Sequence, residues 1–246
     1  MAADSRSQEI RRNYTYKVLN VTKEPDSEGK TKATHSTLHE VLYVGGQPYR
    51  HPLEKDGKPL PPEEAQKAKA RLDWAVQEAA RLSPEERRLR EEKSNKKRAK
   101  DREEFRYIPD AFDFRIVSEA PIAGRAAWEI QASPRREYKG PFAFVFHNME
   151  GTLWIDQKDY QWVKVEADSI GTISFGFFLA RVAKGTRISI ENMRLNDELW
   201  APKHLSLHAS ARVALLKKLN ADQETTFSDY RKFQTDSKLV DSEATK

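Results

Sequence analysis

Apolar and polar residues alternate most regularly between Gly151 and Ala180, in the stretch GTLWIDQKDYQWVKVEADSIGTISFGFFLA. Alternation with a period of two places successive side chains on opposite faces of a β-strand. We therefore predict a hairpin with a polar turn at Gln157–Asp159, followed by a third strand. The residues expected to share one apolar face are Leu153, Ile155, Val163, Val165, Ile173, Phe175, Phe177 and Leu179. Three such strands are typical of an antiparallel sheet with one apolar side.

The same alternation predicts further strands on both sides of this stretch. They are expected at residues 14–22, 32–44, 111–117, 126–132, 186–195, 199–215 and 219–233. Turn residues follow two of these strands, at Gly45-Gly46 and at Asn196-Asp197. The segment RHPLEKDGKPL at residues 50–60 contains prolines and an Asp-Gly turn, and we predict a loop there.

Two helices are predicted between the early and the late strands. Apolar residues recur at three- and four-residue steps after Pro61-Pro62, which predicts a helix that begins near Glu63. The sequence SPEE at residues 83–86 is a capping box with proline at the first helical position, so a second helix begins at Pro84. It is expected to reach about Glu104. Acidic residues lie among its lysines and arginines, which favours a solvated helix over a nucleic-acid-binding or lipid-binding arm.

This order of elements predicts an α+β fold. Its centre would be a strongly curved antiparallel sheet, an incomplete β-barrel, with helices covering the concave side. We expect one half-barrel domain at residues 13–234 with a helical insertion at 62–105. A flexible N-terminus at 1–12 and a flexible tail at 235–246 would flank it.

Composition narrows the class of protein more than its activity. Charged residues make up 33% of the 246 residues, so the apolar residues must be concentrated in part of the chain. The 43 basic and 38 acidic side chains leave a net charge of +5, too small to require a nucleic-acid partner. The chain has no cysteine, which excludes disulfides and thiolate chemistry and fits an oxidising compartment. The N-terminal sequence lacks the apolar core of a signal peptide, so a targeting segment is expected to have been removed if the protein is exported.

No catalytic or metal-binding pattern emerges. The histidine pairs His35/His39 and His204/His208 have four-residue spacing but no third ligand, so we expect no metal site. Nucleophile elbows, P-loops and G-x-G-x-x-G sequences are missing from the sequence, so we predict no cofactor and no enzyme activity. The aromatic residues near the central stretch fit either a filled core or an apolar ligand cavity.

Several stretches together resemble a known family. They are GTLWID followed by WVKVEA within Gly151–Ala180, NDELWAP at Asn196–Pro202, TFSDYRKF at Thr226–Phe233 and KDGKPL at Lys55–Leu60. With a helix inserted after the first strands, they resemble the LolA/LolB-like superfamily and, more narrowly, bacterial outer-membrane lipoprotein-sorting proteins. The likeness is strongest over the C-terminal half of the chain.

The resemblance implies a periplasmic carrier whose apolar cavity holds lipid or lipoprotein acyl chains. The eight apolar residues of the central stretch would line the cavity, and Leu72, Val76 and Ala79 would form the inner side of a helical lid. Its partners would be lipids or lipoprotein acyl chains and envelope transport proteins, with peripheral membrane contact and no nucleic acid. The arginine that closes the lid of LolA itself aligns with no position of this sequence.

An alternative interpretation is a non-enzymatic interaction module. Its sheet would have a filled core, and its charged helix would bind a protein or an anionic surface. A cavity filled by Trp128, Trp154 and Trp162 would favour this alternative.

Overall fold

A single antiparallel sheet dominates the computed structural model, which describes residues 10, 12–25, 31–100, 102–175, 180–213 and 217–232. The first six strands are β1 (Tyr14–Pro25), β2 (Thr31–Val44), β3 (Gln47–Lys55), β4 (Lys58–Pro59), β5 (Phe112–Ile122) and β6 (Arg125–Pro134). The others are β7 (Met149–Asp156), β8 (Trp162–Ser169), β9 (Ile173–Phe175), β10 (Ala180–Val182), β11 (Arg187–Leu195), β12 (Leu199–Val213) and β13 (Lys217–Lys232).

The strand order is that of an open meander, β4-β3-β2-β1-β13-β12-β11-β8-β7-β6-β5. The first long strand pairs with the last, so β1 and β13 lie in the middle of the sheet. The short strands β9 and β10 pair with each other beside this path, and β10 also pairs with β12. Within the described residues β4 and β5 are open edges, so the curved sheet is not closed into a barrel. The predicted α+β fold is confirmed.

The helices lie in the connection between these two edges. They are α1 (Pro62–Arg81), α2 (Pro84–Lys100), a 3-10 turn (Glu104–Tyr107) and α3 (Ile108–Ala111), while a further short helix, α4 (Ala143–Phe146), precedes β7. Helix α1 packs against β3 and β2, and α3 packs against β5. The segment from α1 to α3 therefore joins one edge of the sheet to the other. Helix α2, about 26 Å long, buries no side chain along this path.

The capping box predicted at the start of α2 is confirmed. The backbone N–H of Glu86 donates to Ser83 Oγ at 3.2 Å, and the Ser83 N–H donates to Glu86 Oε2 at 2.8 Å. The helix ends at Lys100, earlier than predicted. There the chain tightens into i to i−3 bonds, with the Glu103 N–H donating to the Lys100 carbonyl at 3.1 Å.

The loop predicted at residues 50–60 is wrong. Most of this segment belongs to β3, which pairs with β2 along its length, and only the Asp56-Gly57 turn was correctly placed. Pro52 lies where the register shifts, because Leu38 pairs with Glu54 while His39 pairs with Pro52. Proline is tolerated at such a bulge near a sheet edge, so it did not mark a loop here.

The third strand predicted after the central hairpin is also placed differently. Only Ile173–Phe175 of it is a described strand, β9, and it pairs with β10, whereas the neighbour of β8 is β11. Strand β8 ends at Ser169, which is 2% exposed and binds the segment that leads into β11. Its N–H donates to the Thr186 carbonyl and its hydroxyl to the Ala183 carbonyl, both at 2.8 Å. These bonds direct β11, and not β9, alongside β8.

A missing side chain lets α1 approach the β2–β3 turn. A Cβ atom on Gly45 would lie 2.9 Å from the Cβ of Ala79, a residue that is 8% exposed. Gly45 also has φ of +56°, a left-handed conformation that disfavours other residues. Gly57 has φ of +71° in the next turn, but a Cβ atom there would meet nothing within 4 Å. The two glycines thus share a backbone conformation and differ in their surroundings.

We expect Gly45→Ala to loosen α1, while Gly57→Ala leaves α1 in place. Both substitutions carry a backbone cost of about 1 kcal/mol, but only the first also pushes against Ala79. Hydrogen–deuterium exchange should therefore increase across Pro62–Arg81 in the Gly45 variant alone. Equal exchange of α1 in the two variants would contradict this packing.

Candidate functional site

An apolar row crosses six neighbouring strands on one face of the sheet. Each of its residues is the cross-strand partner of the next, so the row runs without interruption from β5 to β12. We call this set the apolar row: Ile116, Ile130, Leu153, Val165, Ile190 and Leu205. Its next partners are Thr225 on β13 and Asn20 on β1, whose side chains hydrogen-bond to each other at 3.0 Å. The apolar surface therefore ends at β13.

The other face of the same strands is polar. The residues next in sequence to those of the apolar row also pair with one another, and they are polar: Gln131, Thr152, Glu166, Ser189 and Ser206. Since neighbouring residues of a strand point to opposite faces, the two rows separate an apolar from a hydrated side of the sheet.

The apolar row is only partly covered by the rest of the described chain. Ile116 is 59% exposed, and the other five residues are half-buried. The two buried clusters are centred elsewhere. One is Tyr14, Leu195, Leu199 and Ala201, and the other is Ala111, Phe112, Ala132 and Phe146. Only Leu153 of the row packs against either cluster. The face is thus neither a conventional core nor a hydrated surface.

Aromatic residues cover one end of this face. Phe146 of α4 packs edge-on against Phe112, with ring centroids 5.6 Å apart. The ring centroids of Phe142 and Tyr138 lie 6.2 Å and 6.0 Å from that of Phe146. Leu153 packs against the same cluster. This cover extends over β5 to β7, and the half-buried row continues past it to β12.

The predicted cavity residues fall into three groups. Leu153 and Val165 face each other in the apolar row, and Ile155 lies two residues beyond Leu153 on the same strand. Val163 and Ile173 are nearly inaccessible, 3% and 4% exposed. The side chain of Phe175, together with Phe177 and Leu179, lies outside the described residues.

The predicted lid residues lie at the β2–β3 edge. Ala79 is buried against the Gly45 turn, Leu72 is half-buried and Val76 is 49% exposed. Val76 and Ala79 line a cleft of about 540 Å³ between the helices and this turn. The charged side chains that line the cleft bind other groups of the protein. Arg12 Nη1 lies 2.7 Å from Glu91 Oε1, and Arg87 Nε donates to the Leu82 carbonyl. None of the apolar row lines this cleft.

The three tryptophans considered for a filled cavity do not converge. Trp154 lies on the polar face, opposite Lys164, whose Nζ is 5.0 Å from the indole centroid. Trp128 packs beside Tyr160, with centroids 5.7 Å apart. Trp162 is 39% exposed.

Three bulges bring the apolar row into register. The register next to the turn of each hairpin would, if it continued without a bulge, pair an apolar residue of the row with a polar one. These pairs would be Ile116 with Gln131, Leu153 with Lys164, and Ile190 with His204. The unpaired residues Val117, Val163 and Lys203 each shift the register by one. A one-residue shift exchanges the faces of a strand. Sequence alternation found the strands of the row but not these bulges, so Ile116, Ile130, Ile190 and Leu205 were missed as site residues.

The ends of three hairpins are joined by a buried ion pair. The Asp156 side chain is 1% exposed and accepts hydrogen bonds from Arg125 Nε at 2.6 Å and from the backbone N–H groups of Lys158 and Asp159. Hydrogen bonding by Arg125 lowers the pKa of Asp156 below its usual range, although burial opposes this. Asp159 in turn binds Arg125 and Arg194 and accepts from the Trp200 indole at 3.0 Å.

A second polar group holds the other side of the β11–β12 turn. Tyr14 is 1% exposed, and its hydroxyl hydrogen-bonds to the Glu198 carboxylate and accepts from Asn196 Nδ2 at 2.8 Å. Lys232 Nζ lies 2.7 Å from the same carboxylate and lowers the pKa of Glu198, while burial raises the pKa of Tyr14. Because these groups bind one another, we assign them to the framework and not to a ligand site.

Histidines give no metal centre in the part of the chain that the structure describes. His35 Nδ1 lies 3.6 Å from Asp56 Oδ1, and burial lowers the pKa of His39. No group of three or more His, Asp or Glu side chains there could hold a metal ion. In the same residues, no helix combines the length and apolar character needed to cross a bilayer.

Comparison with known proteins finds likeness in structure alone. The chain matches no family model and no curated protein sequence. Solved structures that match include an outer membrane lipoprotein-sorting protein domain from Vibrio parahaemolyticus, with 10% identity over 95% of this chain and 94% of that chain and a TM-score of 0.32. A LolA superfamily protein from Nitrosomonas europaea matches with 12% identity over 95% and 93% and a TM-score of 0.29.

A third match is the MucA/MucB complex of Pseudomonas aeruginosa, with 13% identity over 92% of each chain and a TM-score of 0.22. The first two matched proteins bear the names of the family that the stretches of this sequence resemble. At these identities and TM-scores no activity transfers from them, so the function of this chain is argued from its own residues.

We expect insertion of one alanine after Lys203 to destabilise the protein far more than deletion of Lys203. Lys203 is the unpaired residue of the bulge, so its deletion keeps Ile190 opposite Leu205. The deletion also removes an exposed side chain whose one ion pair, with Glu191 at 3.4 Å, contributes less than about 1 kcal/mol. If one residue stays unpaired, the insertion places Ile190 opposite His204. Urea denaturation should show a loss of several kcal/mol or of cooperativity for the insertion alone, and similar midpoints for both variants would contradict the assigned register.

We expect Asp156→Asn to lower the free energy of unfolding by about 2 kcal/mol at pH 7. Asparagine still accepts the turn hydrogen bonds but loses the charge, and the cost falls below the ~3–5 kcal/mol of a fully buried pair because Arg125 stays partly exposed. Since the folded-state pKa of Asp156 is depressed, its contribution is complete above the ordinary aspartate range near about 3.9 and is lost as pH falls through the lower folded value.

The difference between parent and variant should therefore be constant from pH 7 to pH 5 and narrow in stronger acid. Asp113→Asn is the control, because this carboxylate pairs with Arg135 at 2.7 Å but is 66% exposed. Equal losses in the two variants would show that burial of Asp156 is not what matters.

Proposed function

We propose that the apolar row binds an acyl chain of a lipid or lipoprotein, and that the protein carries such chains in the periplasm. One observation supports this most: six adjacent strands present a continuous apolar row that stays partly exposed, above an opposite face that is polar. Proteins in water rarely leave a contiguous apolar surface open unless it binds something. The absence of cysteine is compatible with the periplasm.

The dimensions of the row suit an acyl chain. Six strands about 4.8 Å apart give a row of about 24 Å measured along the sheet. One leaflet of a bilayer core about 30 Å thick is about 15 Å deep. A chain of that length could therefore lie across the row, and each methylene it buries contributes about 0.8 kcal/mol.

The chemistry of the row also favours an unfunctionalised chain. Its side chains offer no hydrogen-bond donor or acceptor, so a polar ligand would lose contacts with water and gain none. The first polar partners, Thr225 and Asn20, come after Leu205.

The residues predicted from sequence fit into this proposal in two roles. Leu153 and Val165 belong to the row, and Ile155, Val163 and Ile173 would extend its apolar surroundings together with Phe175, Phe177 and Leu179. Helix α1, through Leu72, Val76 and Ala79, would act as the lid if it leaves the β2–β3 edge when a ligand binds.

An interaction module that binds a protein is the second candidate. The aromatic cluster around Phe146, which covers the face over β5 to β7, favours it. If that cover extended over the whole face in solution, no acyl chain could enter, and binding would fall to another surface.

We expect Ile190→Asp to weaken binding of a fluorescent fatty acid at least about tenfold, because the ligand would then contact a charge. Ser189→Asp is the matched control. It introduces the same side chain at the residue before Ile190, on the polar face, and should leave the affinity for the fatty acid within about twofold. Binding would be measured by fluorescence titration in detergent-free buffer, with circular dichroism to check folding.

Ile116→Asp provides a second variant, since this position is exposed on an edge strand and should fold. Unchanged affinity in both apolar-row variants would overturn the assignment of the site. No binding by the parent protein would overturn the carrier function and favour the interaction module.

A further inference from the structure

Four lysines form one face of the second half of α2. Lys93, Lys96, Lys97 and Lys100 follow steps of three and four residues, so they lie within an arc of about 100° on the helix. We call them the lysine face. They span about 10 Å along the axis, and all four are exposed.

The positive charge of this face is not compensated by the helix itself. The acidic residues of α2 all precede Lys93, and two of them pair with arginines: Glu91 with Arg12 and Glu92 with Arg88. Among the described residues none of the four lysines forms an ion pair. The interspersed charges that the sequence suggested are thus separated along the helix, with pairs in its first half and a positive face in its second.

Exposed aromatic side chains follow the lysine face along the chain. Phe105, in the 3-10 turn after α2, is 50% exposed and packs edge-on against Trp162, with centroids 6.3 Å apart. Trp162, the first residue of β8, is 39% exposed and pairs with Ile155. Surfaces that sit at a water–lipid boundary typically combine exposed aromatic rings with lysines.

We propose that the lysine face, with Phe105 and Trp162, docks the protein on an anionic phospholipid surface. Four lysines on one helical face match the density of positive charge that anionic membranes attract. Lysine supplies a compact, hydrated point charge on a flexible stem and lacks the bidentate geometry with which arginine recognises a specific phosphate or carboxylate. The exposed rings add apolar contact that a nucleic-acid backbone would not reward. Docking requires only this surface and does not depend on ligand binding by the apolar row.

Co-sedimentation with vesicles tests the proposal. The full chain should bind vesicles of phosphatidylcholine with one third phosphatidylglycerol, and should bind pure phosphatidylcholine far more weakly. Replacing Lys93, Lys96, Lys97 and Lys100 by glutamine should weaken binding at least about 100-fold, since each charge contributes roughly fivefold. Glutamine retains helix propensity, and no side chain of α2 is buried, so the variant should fold.

The matched control removes four exposed lysines elsewhere, by Lys55→Gln, Lys58→Gln, Lys69→Gln and Lys184→Gln. It has the same net charge and should bind within about threefold of the parent. Phe105→Ser should weaken binding most clearly at high salt, where charge is screened.

Equal losses in the two lysine variants would overturn the proposal, since net charge alone would then explain binding. Binding to a single-stranded DNA oligonucleotide without binding to anionic vesicles would overturn it in favour of a nucleic-acid partner. Ile190→Asp should leave vesicle binding unchanged, so failure here is distinguishable from failure of the acyl-chain site.

Discussion

Cross-strand register is the constraint on which the rest of this structure depends. Each of three hairpins contains one unpaired residue, Val117, Val163 or Lys203, and each bulge moves an apolar residue opposite another apolar residue. Without the shift, polar and apolar side chains would share both faces, and the sheet would have neither a continuous apolar surface nor a hydrated one. Bulges also increase local twist, which is consistent with a sheet that curves but stays open at β4 and β5.

The sequence was most informative where a local interaction decides the structure. Alternation located β1, β2, β7, β8 and β11 to β13, and the Ser83–Glu86 capping box located the start of α2 to the residue. It failed where distant partners decide. Pro52 looked like a loop residue because only its pairing beside a bulge shows that a strand accommodates it. Only two of the six residues of the apolar row were recognised, Leu153 and Val165, which lie in one hairpin. The other four, Ile116, Ile130, Ile190 and Leu205, join them only through pairing between strands.

Stability and the candidate site use largely different residues, since only Leu153 of the apolar row packs against a buried cluster. The buried clusters contain Tyr14, Leu199, Phe112 and Phe146, and polar networks around Asp156 and Glu198 tie the hairpin ends together. The polar networks hold the strands at the hairpin ends, and the cluster around Phe146 packs on β5 to β7. The apolar row between them need not be filled to hold the sheet, and a partly exposed apolar face can therefore persist. Aspartates at strand ends, as in DQKD at Asp156–Asp159, are the sequence signal for such caps, because their carboxylates bind nearby backbone N–H groups.

The connection between the two sheet edges explains the composition of α2. The chain must pass from β4 at one edge to β5 at the other, and α2 carries the middle of that passage without burying a side chain. A helix with no apolar face gains nothing from packing, so it must be held by its own capping box and by attachments near its ends. Those are the Arg12–Glu91 ion pair on one side and the packing of α3 on β5 on the other. A helix held this way keeps its outer face accessible to a partner, and the four lysines of its second half determine that a negatively charged partner is favoured.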